Sequence, residues 1–322
     1  MRRIFISIAT LAAVLGLRAE GYQVNTLSSR QTGMGHVGVA MKLGAESQLF
    51  NPGALAFSDK TFDISASVAA ISAYATATYH GVDYKTDNDL STPFNISSSW
   101  RIIDGFYGGV TFYTPYGSSI NWGEHWPGAV LNQKVGIKMF TVQPTLSYRF
   151  LPNLSVGAGL MLSWGSVDLY KGLLGGESLN RLMGALGMPP EAMYAPGATP
   201  ASVNLKGSSK LAIGYSLGAM WDISRRWTVG VSYRSKMTMT VEKGDAAVSY
   251  SGAAESMLSP VLDNLNHTNF KASLPAPYVL TAGVSYKPLD NLILAFDLQL
   301  NGWGTYKYLD IEFANLEAFD QH

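Results

Sequence analysis

The sequence lacks cysteine and carries few charged residues. None of its 322 residues is cysteine, which excludes disulfides and thiolate metal sites. Charged residues make up 14%, against the ~25% of typical soluble domains, so the charge is too sparse for a soluble surface. The 23 Lys and Arg balance the 23 Asp and Glu. Without a basic excess to bind phosphates, nucleic acid is not expected as a partner.

Long hydrophobic runs are also missing after the N-terminus. Met1 to Arg3 is charged, Ile4 to Leu17 is apolar, and a small-residue cleavage site precedes Glu20. We interpret residues 1–19 as a cleaved signal peptide. A membrane anchor is the alternative, but ~14 apolar residues fall short of the ~20 that a spanning helix needs. The exported chain is therefore expected to have no spanning helix.

Apolar residues alternate with small or polar ones through most of the chain. Between 211 and 221 the odd positions are mostly large and apolar. The next segment continues the pattern, and we expect its odd positions to face lipid and its even positions to face a lumen. The odd set is Val229, Val231, Tyr233, Met237, Met239 and Val241, and the even set is Thr228, Ser232, Arg234, Lys236, Thr238 and Thr240.

This alternation predicts nine long strands joined by turns that are alternately short and long. The strands are 61–79, 93–101, 106–114, 137–150, 154–170, 208–221, 227–242, 270–287 and 291–313, and the longest loops are 115–136, 171–207 and 243–269. The pattern is typical of an all-β, antiparallel outer-membrane β-barrel over residues 61–322. A soluble β-sandwich is disfavoured because its exposed face would be charged. Because such barrels close with an even number of strands, we expect more strands to follow His322.

Residues 20–60 precede the first strand and do not alternate. They include Gly33 to Gly38, which fits the G-x-G-x-x-G pattern of dinucleotide-binding loops. That motif needs a buried strand before the glycines, and the preceding "NTLSSRQ" is not one. Because the segment is also too apolar for a free tail, we predict a compact plug inside the barrel.

Several motifs resemble those of a known family. They are "GYQVNTLSSRQTGMGHVGVA" followed by "LFNPGALAF", "YTPYG" (113–117), "RRWTVGVSYRS" (225–235) and "LPAPYVLTAGVSY" (274–286). Their order is similar to that of the outer-membrane long-chain fatty acid transporters (FadL-like) from residue 21 to about 310. The family's hatch carries an Asn-Pro-Ala motif, and Asn51-Pro52-Gly53 stands in its place, with glycine for alanine.

The resemblance implies a monomeric barrel of fourteen strands with an N-terminal hatch. It implies uptake of hydrophobic small molecules such as fatty acids through an extracellular groove and an internal pocket, release after the hatch shifts, and no cofactor. Phe50, Asn51, Pro52 and Gly53 would form the gate. The strands that this sequence lacks, compared with the family's fourteen, are expected after His322.

Two long loops contain apolar residues at helical spacing. Leu179, Leu182, Met183 and Leu186 predict an amphipathic helix that ends near Gly187, and 257–265 repeats the spacing. We interpret the first helix as one wall of a ligand-binding groove, with Trp122 and Trp126 as the other wall. The alternative is a helix that only caps the barrel.

Three basic residues are candidates for binding a polar head group. Arg234 and Lys236 fall on the predicted lumen face, and Lys171 lies near the place where the resemblance implies a basic pocket residue. The alternative is that these cations pair with acids such as Asp297 or Glu46.

Gly108-Gly109 predicts a kink or gap in the third strand. The resemblance implies a lateral opening to the bilayer there. The alternative is that the two glycines make room for the plug or a neighbouring side chain.

Catalytic chemistry is not indicated. Gly214-Tyr215-Ser216-Leu217-Gly218 fits a hydrolase elbow but lies inside a strand, and the histidines show no metal-ligand spacing. Transport of hydrophobic compounds is the favoured function. A structural or adhesive barrel without transport is the alternative.

Overall fold

The structure, a computed structural model, describes residues 21–195, 197–305 and 310–314 and folds mainly into one antiparallel sheet. The predicted signal peptide lies outside the described residues. The strands are β1 (Phe62–Val68), β2 (Thr76–Tyr79), β3 (Val82–Lys85), β4 (Phe94–Ile103), β5 (Phe106–Asn121), β6 (Lys134–Leu151), β7 (Leu154–Leu174), β8 (Ala201–Ser208), β9 (Ala212–Asp222), β10 (Trp227–Arg234), β11 (Met237–Tyr250), β12 (Asn269–Ala276), β13 (Val279–Leu289), β14 (Leu292–Asn301) and β15 (Asp310–Phe313).

Four α-helices lie outside the sheet in the part of the chain that the structure describes. Two short ones precede the first strand, and two longer ones lie in the long loops. They are α1 (Ser29–Thr32), α2 (Ser47–Phe50), α3 (Gly176–Ala185) and α4 (Ala254–Leu262). Among the described residues, no helix has both the length and the hydropathy to cross a membrane.

Neighbours in the sequence are neighbours in the sheet. β1, β4, β5, β6 and β7 pair in that order, and the next three positions each hold two pieces, β8 above β9, β11 above β10, and β12 above β13. Here the upper end carries the long loops. β14 and β15 flank the last of these positions. The nine predicted strands therefore correspond to nine sheet positions, four of them in two pieces. The predicted loops 171–207 and 243–269 are too long, because β8 and the upper end of β11 lie in them.

The first predicted strand is too long. β1 ends at Val68, and 76–85 form a separate hairpin of β2 and β3 instead of extending the sheet. Its turn is His80-Gly81, and both residues have positive φ, 48° and 79°. Two positive φ values in a two-residue loop define the hairpin turn whose twist matches that of the strands.

The outer face of the sheet is apolar and ends in aromatic rings. The rings of Phe112 and Trp164 stack 6.1 Å apart near the upper end, and those of Trp227 and Tyr286 stack 4.3 Å apart near the lower end. On β6, Phe140 contacts Phe112 and Trp164, and Tyr148 contacts Phe106 at the lower end, which leaves about 26 Å of strand between Phe140 and Tyr148. On a strand tilted by ~40° this length spans about 20 Å of membrane thickness, similar to the ~25 Å apolar band between the aromatic girdles of outer-membrane barrels.

At the break between β10 and β11, the alternation of inward-facing and outward-facing side chains is reversed. Arg234 ends β10 facing inward, and Met237, three residues later, is buried on the inner face of β11. An extra residue at a bulge reverses the alternation. At this one, Ser235 N–H donates to the Tyr215 carbonyl, and Tyr215 N–H donates to Ser235 Oγ. The expectation that Met237, Met239 and Val241 share the lipid face of Val231 is therefore wrong.

As a result, the inner face has two parts. The lower part carries hydroxyl and amide side chains, among them Thr145, Ser147, Ser155 and Ser216, and residues 21–60 pack against it. The upper part is apolar. We call its buried side chains the apolar lining; they include Met139, Met161, Val203, Leu205, Met237, Met239, Val241, Phe270, Leu274, Ile311 and Phe313.

Candidate functional site

The Asn51-Pro52-Gly53 turn joins the N-terminal segment to the wall. Asn51 is fully buried; its Nδ2 donates to the carbonyls of Val39 (2.7 Å) and Ala219 (2.9 Å), and its Oδ1 accepts from Gly53 N–H (2.9 Å). The Gly53 carbonyl accepts from the hydroxyls of Ser147 and Ser155, 3.1 and 2.6 Å away. Asn51 thus forms hydrogen bonds with its own turn, with the N-terminal segment and with β9.

Glycines at the wall allow this close approach. A Cβ on Gly157 would lie 2.4 Å from the carbonyl of Pro52, and a Cβ on Gly218 would lie 2.1 Å from Asn51 Oδ1. Glycine often occurs in turns because it can adopt a positive φ, but Gly53 does not have a positive φ. A side chain is excluded at Gly53 because its Cβ would lie 2.9 Å from the Gly218 carbonyl oxygen.

The glycine-rich loop binds a carboxylate of the wall. The N–H groups of Gly38 and Val39 donate to Asp297 Oδ2 on β14, at 2.7 and 3.0 Å. Gly35 and His36 have positive φ, 73° and 66°, which turns the loop so that these N–H groups point at β14. Backbone N–H groups that would suit a phosphate here bind the protein's own anion. Among the described residues Asp297 forms no ion pair, although it borders the same cavity as Arg234.

Gly108 and Gly109 lie in a continuous part of the sheet. They pair with Trp100 and Ser99 on β4 and with Leu146 and Thr145 on β6, so the predicted kink at these glycines is wrong. A Cβ on Gly109 would lie 2.6 Å from Gln48 Oε1 of the N-terminal segment. Gln48 also donates to the Ser98 carbonyl at 2.9 Å. The missing side chain makes room for the plug; a lateral opening in this strand stays a prediction.

The helix predicted from Leu179 to Leu186 is α3, and its apolar face is divided. Leu179 and Met183 are buried against Ala254 at the start of α4, whereas Leu182 and Leu186 are 48% and 66% exposed. The loop of α4 is fixed by Tyr250, whose hydroxyl donates to Asp263 Oδ1 at 2.8 Å. Burial and this carboxylate raise the pKa of Tyr250 to about 12. The two helices thus form one apolar surface at the upper end.

Trp122 and Trp126 lie in the neighbouring loop. Their rings stack 4.6 Å apart, and Trp126 Nε1 donates to the Asn132 carbonyl at 2.8 Å. Val130 of the same loop packs beside Gly175, the residue before α3. The tryptophan loop and α3 are therefore adjacent, as the groove hypothesis requires. Lys171 is half-buried near the end of β7 and pairs in register with Val203.

Arg234 faces the lumen at the boundary between its polar and apolar parts. Its Nη2 donates to the Leu49 carbonyl at 3.1 Å, and its guanidinium lies 5.9 Å from the Tyr113 ring centre. It borders a cavity of about 120 Å³. Within the described part of the chain, Arg234 forms no ion pair. Other residues that line the cavity are Gln23, Asn25, His36, Phe50, Ser216, Ser232, Thr281, Asp297 and Gln299.

Lys236 does not share this position. It is exposed, and its neighbours Ser235 and Met237 are buried, so it points away from the lumen. The bulge at Ser235 reverses the alternation between Arg234 and Lys236. The prediction that both cations enter the lumen is therefore right for Arg234 and wrong for Lys236.

The first residues of the plug reach the apolar lining. Gly117 N–H donates to the Tyr22 carbonyl at 2.8 Å, and Val24 N–H donates to the Pro115 carbonyl at 2.9 Å, so this stretch runs along β5. The Tyr22 ring contacts those of Tyr116 and Trp303, with centroids 5.8 and 5.3 Å apart. Sequence reasoning did not single out Tyr22. Its aromatic ring in an otherwise polar stretch was the available signal.

The residues tested for catalysis do not form a reactive site. Ser216 lies inside β9, paired with Gly159 on one side and Arg234 on the other, so no sharp turn presents its hydroxyl. Within the ranges that the structure describes, no three His, Asp or Glu side chains are grouped to hold a metal ion.

An apolar outer band, a plugged lumen and an apolar upper lining define an outer-membrane channel protein. Residues 9–322 match the family described as outer membrane protein transport protein (OMPP1/FadL/TodX), and the chain belongs to this family. It is a family of outer-membrane transport proteins and not of enzymes, which confirms the predicted fold, location and absence of catalysis.

Known proteins support the same fold. An outer membrane protein of Neisseria meningitidis serogroup B is 40% identical over 99 residues, which make up 30% of this chain and 21% of the relative. The chain thus matches about a fifth of that relative's length. A FadL homologue of Pseudomonas aeruginosa has a similar structure, with a TM-score of 0.70 and 18% identity over 91% of this chain and 72% of its own.

Two further solved structures are similar in fold. The toluene transporter TbuX of Ralstonia pickettii has a TM-score of 0.63 and 16% identity over 93% of this chain and 76% of its own. The monoaromatic hydrocarbon channel CymD has a TM-score of 0.61 and 19% identity over 93% of this chain and 74% of its own.

Proposed function

We propose that this protein takes up long hydrophobic molecules with an acidic head group, such as long-chain fatty acids, through the outer membrane. The observation that carries the proposal is the position of Arg234. Its guanidinium has no ion-pair partner among the described residues and stands directly below the apolar lining. An alkyl chain in the lining would therefore have a cation at its end.

The path begins at the upper end. The exposed side chains of Leu182 and Leu186, with Trp122 and Trp126 in the neighbouring loop, offer an apolar surface for capture. Such a surface holds an acyl chain by removing its methylene groups from water, at about 0.8 kcal/mol for each. The chain then passes to the apolar lining, where flexible methionines such as Met161 and Met239 can adapt to ligands of different shape.

The plug responds to the ligand through Tyr22 and Leu49. Tyr22 packs into the lining, and the Leu49 carbonyl is bonded to Arg234. A carboxylate that binds Arg234 competes with this carbonyl, and it is the stronger acceptor because it is charged as well. Ligand binding would thereby weaken one attachment of the hatch, in which Phe50 to Gly53 form the gate.

The names of two structural relatives suggest a different substrate. TbuX and CymD are described as channels for toluene and monoaromatic hydrocarbons, which are neutral compounds. A neutral ligand would form no charge-assisted hydrogen bond with Arg234. The head group therefore decides between the two substrate classes.

We expect Arg234→Ala to weaken the binding of a long-chain fatty acid by about tenfold and to leave the matching alcohol unchanged. A lost charge-assisted hydrogen bond is worth roughly 1.5–3 kcal/mol, and ~1.4 kcal/mol corresponds to tenfold. Binding is measured by calorimetry on the full-length protein in detergent. Arg234→Gln keeps a donor for the Leu49 carbonyl and separates loss of charge from loss of hatch contact.

Lys236→Ala is the matched control, because Lys236 is a cation only two residues after Arg234 but points outward. It should bind the acid normally. Equal losses for acid and alcohol, or equal losses in the two alanine variants, would contradict the proposal. Tighter binding of toluene than of the fatty acid in the unaltered protein would favour the neutral substrate class.

A further inference from the structure

A hollow of about 530 Å³ opens on the outer face of the wall, in its lower half. It lies over β6, β7, β9 and β10, which are paired continuously at this level. Its surface is almost entirely apolar. The outward-facing side chains that border it are those of Phe106, Leu146, Tyr148, Val156, Ala158, Leu217, Ala219, Val231 and Tyr233.

Small outward side chains form the base of the hollow. Ala158 and Ala219 stand among larger neighbours of the same face, and the inward positions beside them are Gly157 and Gly218. The plug accounts for the two glycines, because a Cβ on either would collide with the Asn51-Pro52 turn. It does not account for the alanines, whose side chains point to the opposite face. The hollow is therefore a feature of the lipid-facing surface in its own right.

Below the hollow, the wall has the features of a membrane interface. Trp221 and Trp227, both nearly half exposed, flank the turn between β9 and β10. Tryptophan is enriched where apolar chains meet polar head groups. The turn itself carries Arg225 and Arg226, both exposed. About 10 Å of strand separates Ala219 in the hollow from the start of this turn.

The two arginines provide an excess of positive charge at the lower rim. Within the part of the chain that the structure describes, Arg225 and Arg226 form no ion pair. In the same part of the chain, each acid of the short lower turns from β4 to β14 already has a cation. These pairs are Asp104 with Arg149 (3.8 Å), Asp222 with Lys42 (2.6 Å) and Asp290 with Lys287 (3.9 Å).

An apolar hollow above two unpaired cations fits an anionic lipid. A glycerophospholipid offers an acyl chain for the hollow and a phosphate for the guanidinium groups in one molecule. Arginine binds phosphate through charge-assisted hydrogen bonds in a fork geometry. A second copy of this chain fits less well, because the described acids of its short turns are already paired. The lower end, opposite the long extracellular loops, faces the periplasm.

We propose that the hollow and Arg225-Arg226 form a binding site for an anionic glycerophospholipid of the periplasmic leaflet. One acyl chain fills the hollow, and the phosphate binds the guanidinium groups beside Trp221 and Trp227. The site lies on the outer face of the wall, so it does not depend on the function proposed for the lumen. A lipid held there covers the part of the wall to which the plug is attached from inside.

Titration of the full-length protein in detergent with dioleoylphosphatidylglycerol, followed by native mass spectrometry, tests the site. We expect Arg225→Gln, Arg226→Gln to weaken binding about 25-fold, since each basic residue near an anionic head group contributes roughly fivefold. Dioleoylglycerol has the same chains without the phosphate and should bind this variant and the unaltered protein equally. Inorganic phosphate, which lacks the chains, should not compete with the lipid at equal concentration.

Ala219→Leu tests the hollow. The larger side chain occupies the space of the acyl chain, and the backbone bond from Asn51 to the Ala219 carbonyl is left in place. We expect it to weaken the binding of both dioleoyl lipids about tenfold, the contribution of roughly two methylene groups.

Each change has a matched control. Lys206→Gln, Lys243→Gln removes two exposed cations at the upper end that also form no ion pair among the described residues. Ala282→Leu makes the same enlargement on the outer face of β13, outside the hollow. Both controls should bind phosphatidylglycerol as the unaltered protein does.

Four results would overturn the proposal. One is an equal loss in the arginine and lysine variants, since net charge and not a site would then govern binding. Another is a loss in Ala219→Leu no larger than that in Ala282→Leu. The third is competition by inorganic phosphate as strong as that by the lipid. The last is a protein dimer that excludes the lipid and disappears in Ala219→Leu, which would assign the hollow to a second copy of the chain.

Discussion

Replacing Gly157 by valine is expected to open the channel to small hydrophilic solutes. A Cβ at this position would lie 2.4 Å from the carbonyl carbon and oxygen of Pro52, closer than any real Cβ contact. Because the wall is a paired sheet, the plug must move instead. Displacing Pro52 breaks the bonds of Asn51 to Val39 and Ala219 and leaves buried polar groups unpaired, at about 1–3 kcal/mol for each.

Single-channel conductance in planar bilayers measures this change. Ala158→Val is the control, because the neighbouring side chain is exposed on the outer face and the same enlargement meets only lipid. Deletion of residues 21–57 from the full-length protein gives the upper limit of the leak. A Gly157→Val channel that conducts no more than the Ala158→Val channel would show that the turn does not seal the lumen.

The alternation of side chains along the strands was predictable from the sequence. Which side chains face the lumen and which face lipid was not. Alternation locates the lower parts of the strands, because each has one lipid-facing apolar side. It misses β8 and the upper ends of β5 and β11, which lie in segments predicted as loops. In the upper part of this wall the inner side is apolar as well, so Met237 and Val231 look alike in the sequence although they face opposite ways. One bulge residue at Ser235 makes the difference, and no residue type marks it there.

The plug was predictable as a compact segment, but its contacts were not. Asn51 and Pro52 are residue types that favour turns, and here they begin a short 3-10 helix in which Asn51 Oδ1 accepts from Gly53 N–H. The partners Gly157, Gly218 and Asp297 lie far along the chain, and a glycine in a strand does not say what fills its space. For Gly109 the space is taken by Gln48 and not by an opening, which only the assembled structure shows.

Loss of the Asp297 carboxylate is expected to free the glycine-rich loop of the plug. Both of its bonds to the loop run from backbone N–H groups to one charged oxygen, at 2.7 and 3.0 Å. Hydrogen bonds to a charged group contribute about 1.5–3 kcal/mol each. In Asp297→Ala the N–H groups of Gly38 and Val39 lose their acceptor, and losing even one such bond corresponds to roughly tenfold in the opening equilibrium of the loop.

Amide hydrogen exchange of the peptide that spans residues 33–39 measures this equilibrium. Asp297→Asn keeps an acceptor oxygen without the charge, so its exchange should fall between that of the native protein and that of Asp297→Ala. Gln299→Ala is the control: Gln299 lies two residues further along β14 and borders the same cavity, but its amide donates to Asn301, not to the plug. If exchange in this peptide were the same in Asp297→Ala and Gln299→Ala, the loop would be held by its packing alone. A large effect limited to Asp297 would show that a backbone pattern suited to phosphate serves here to fasten the plug to the wall.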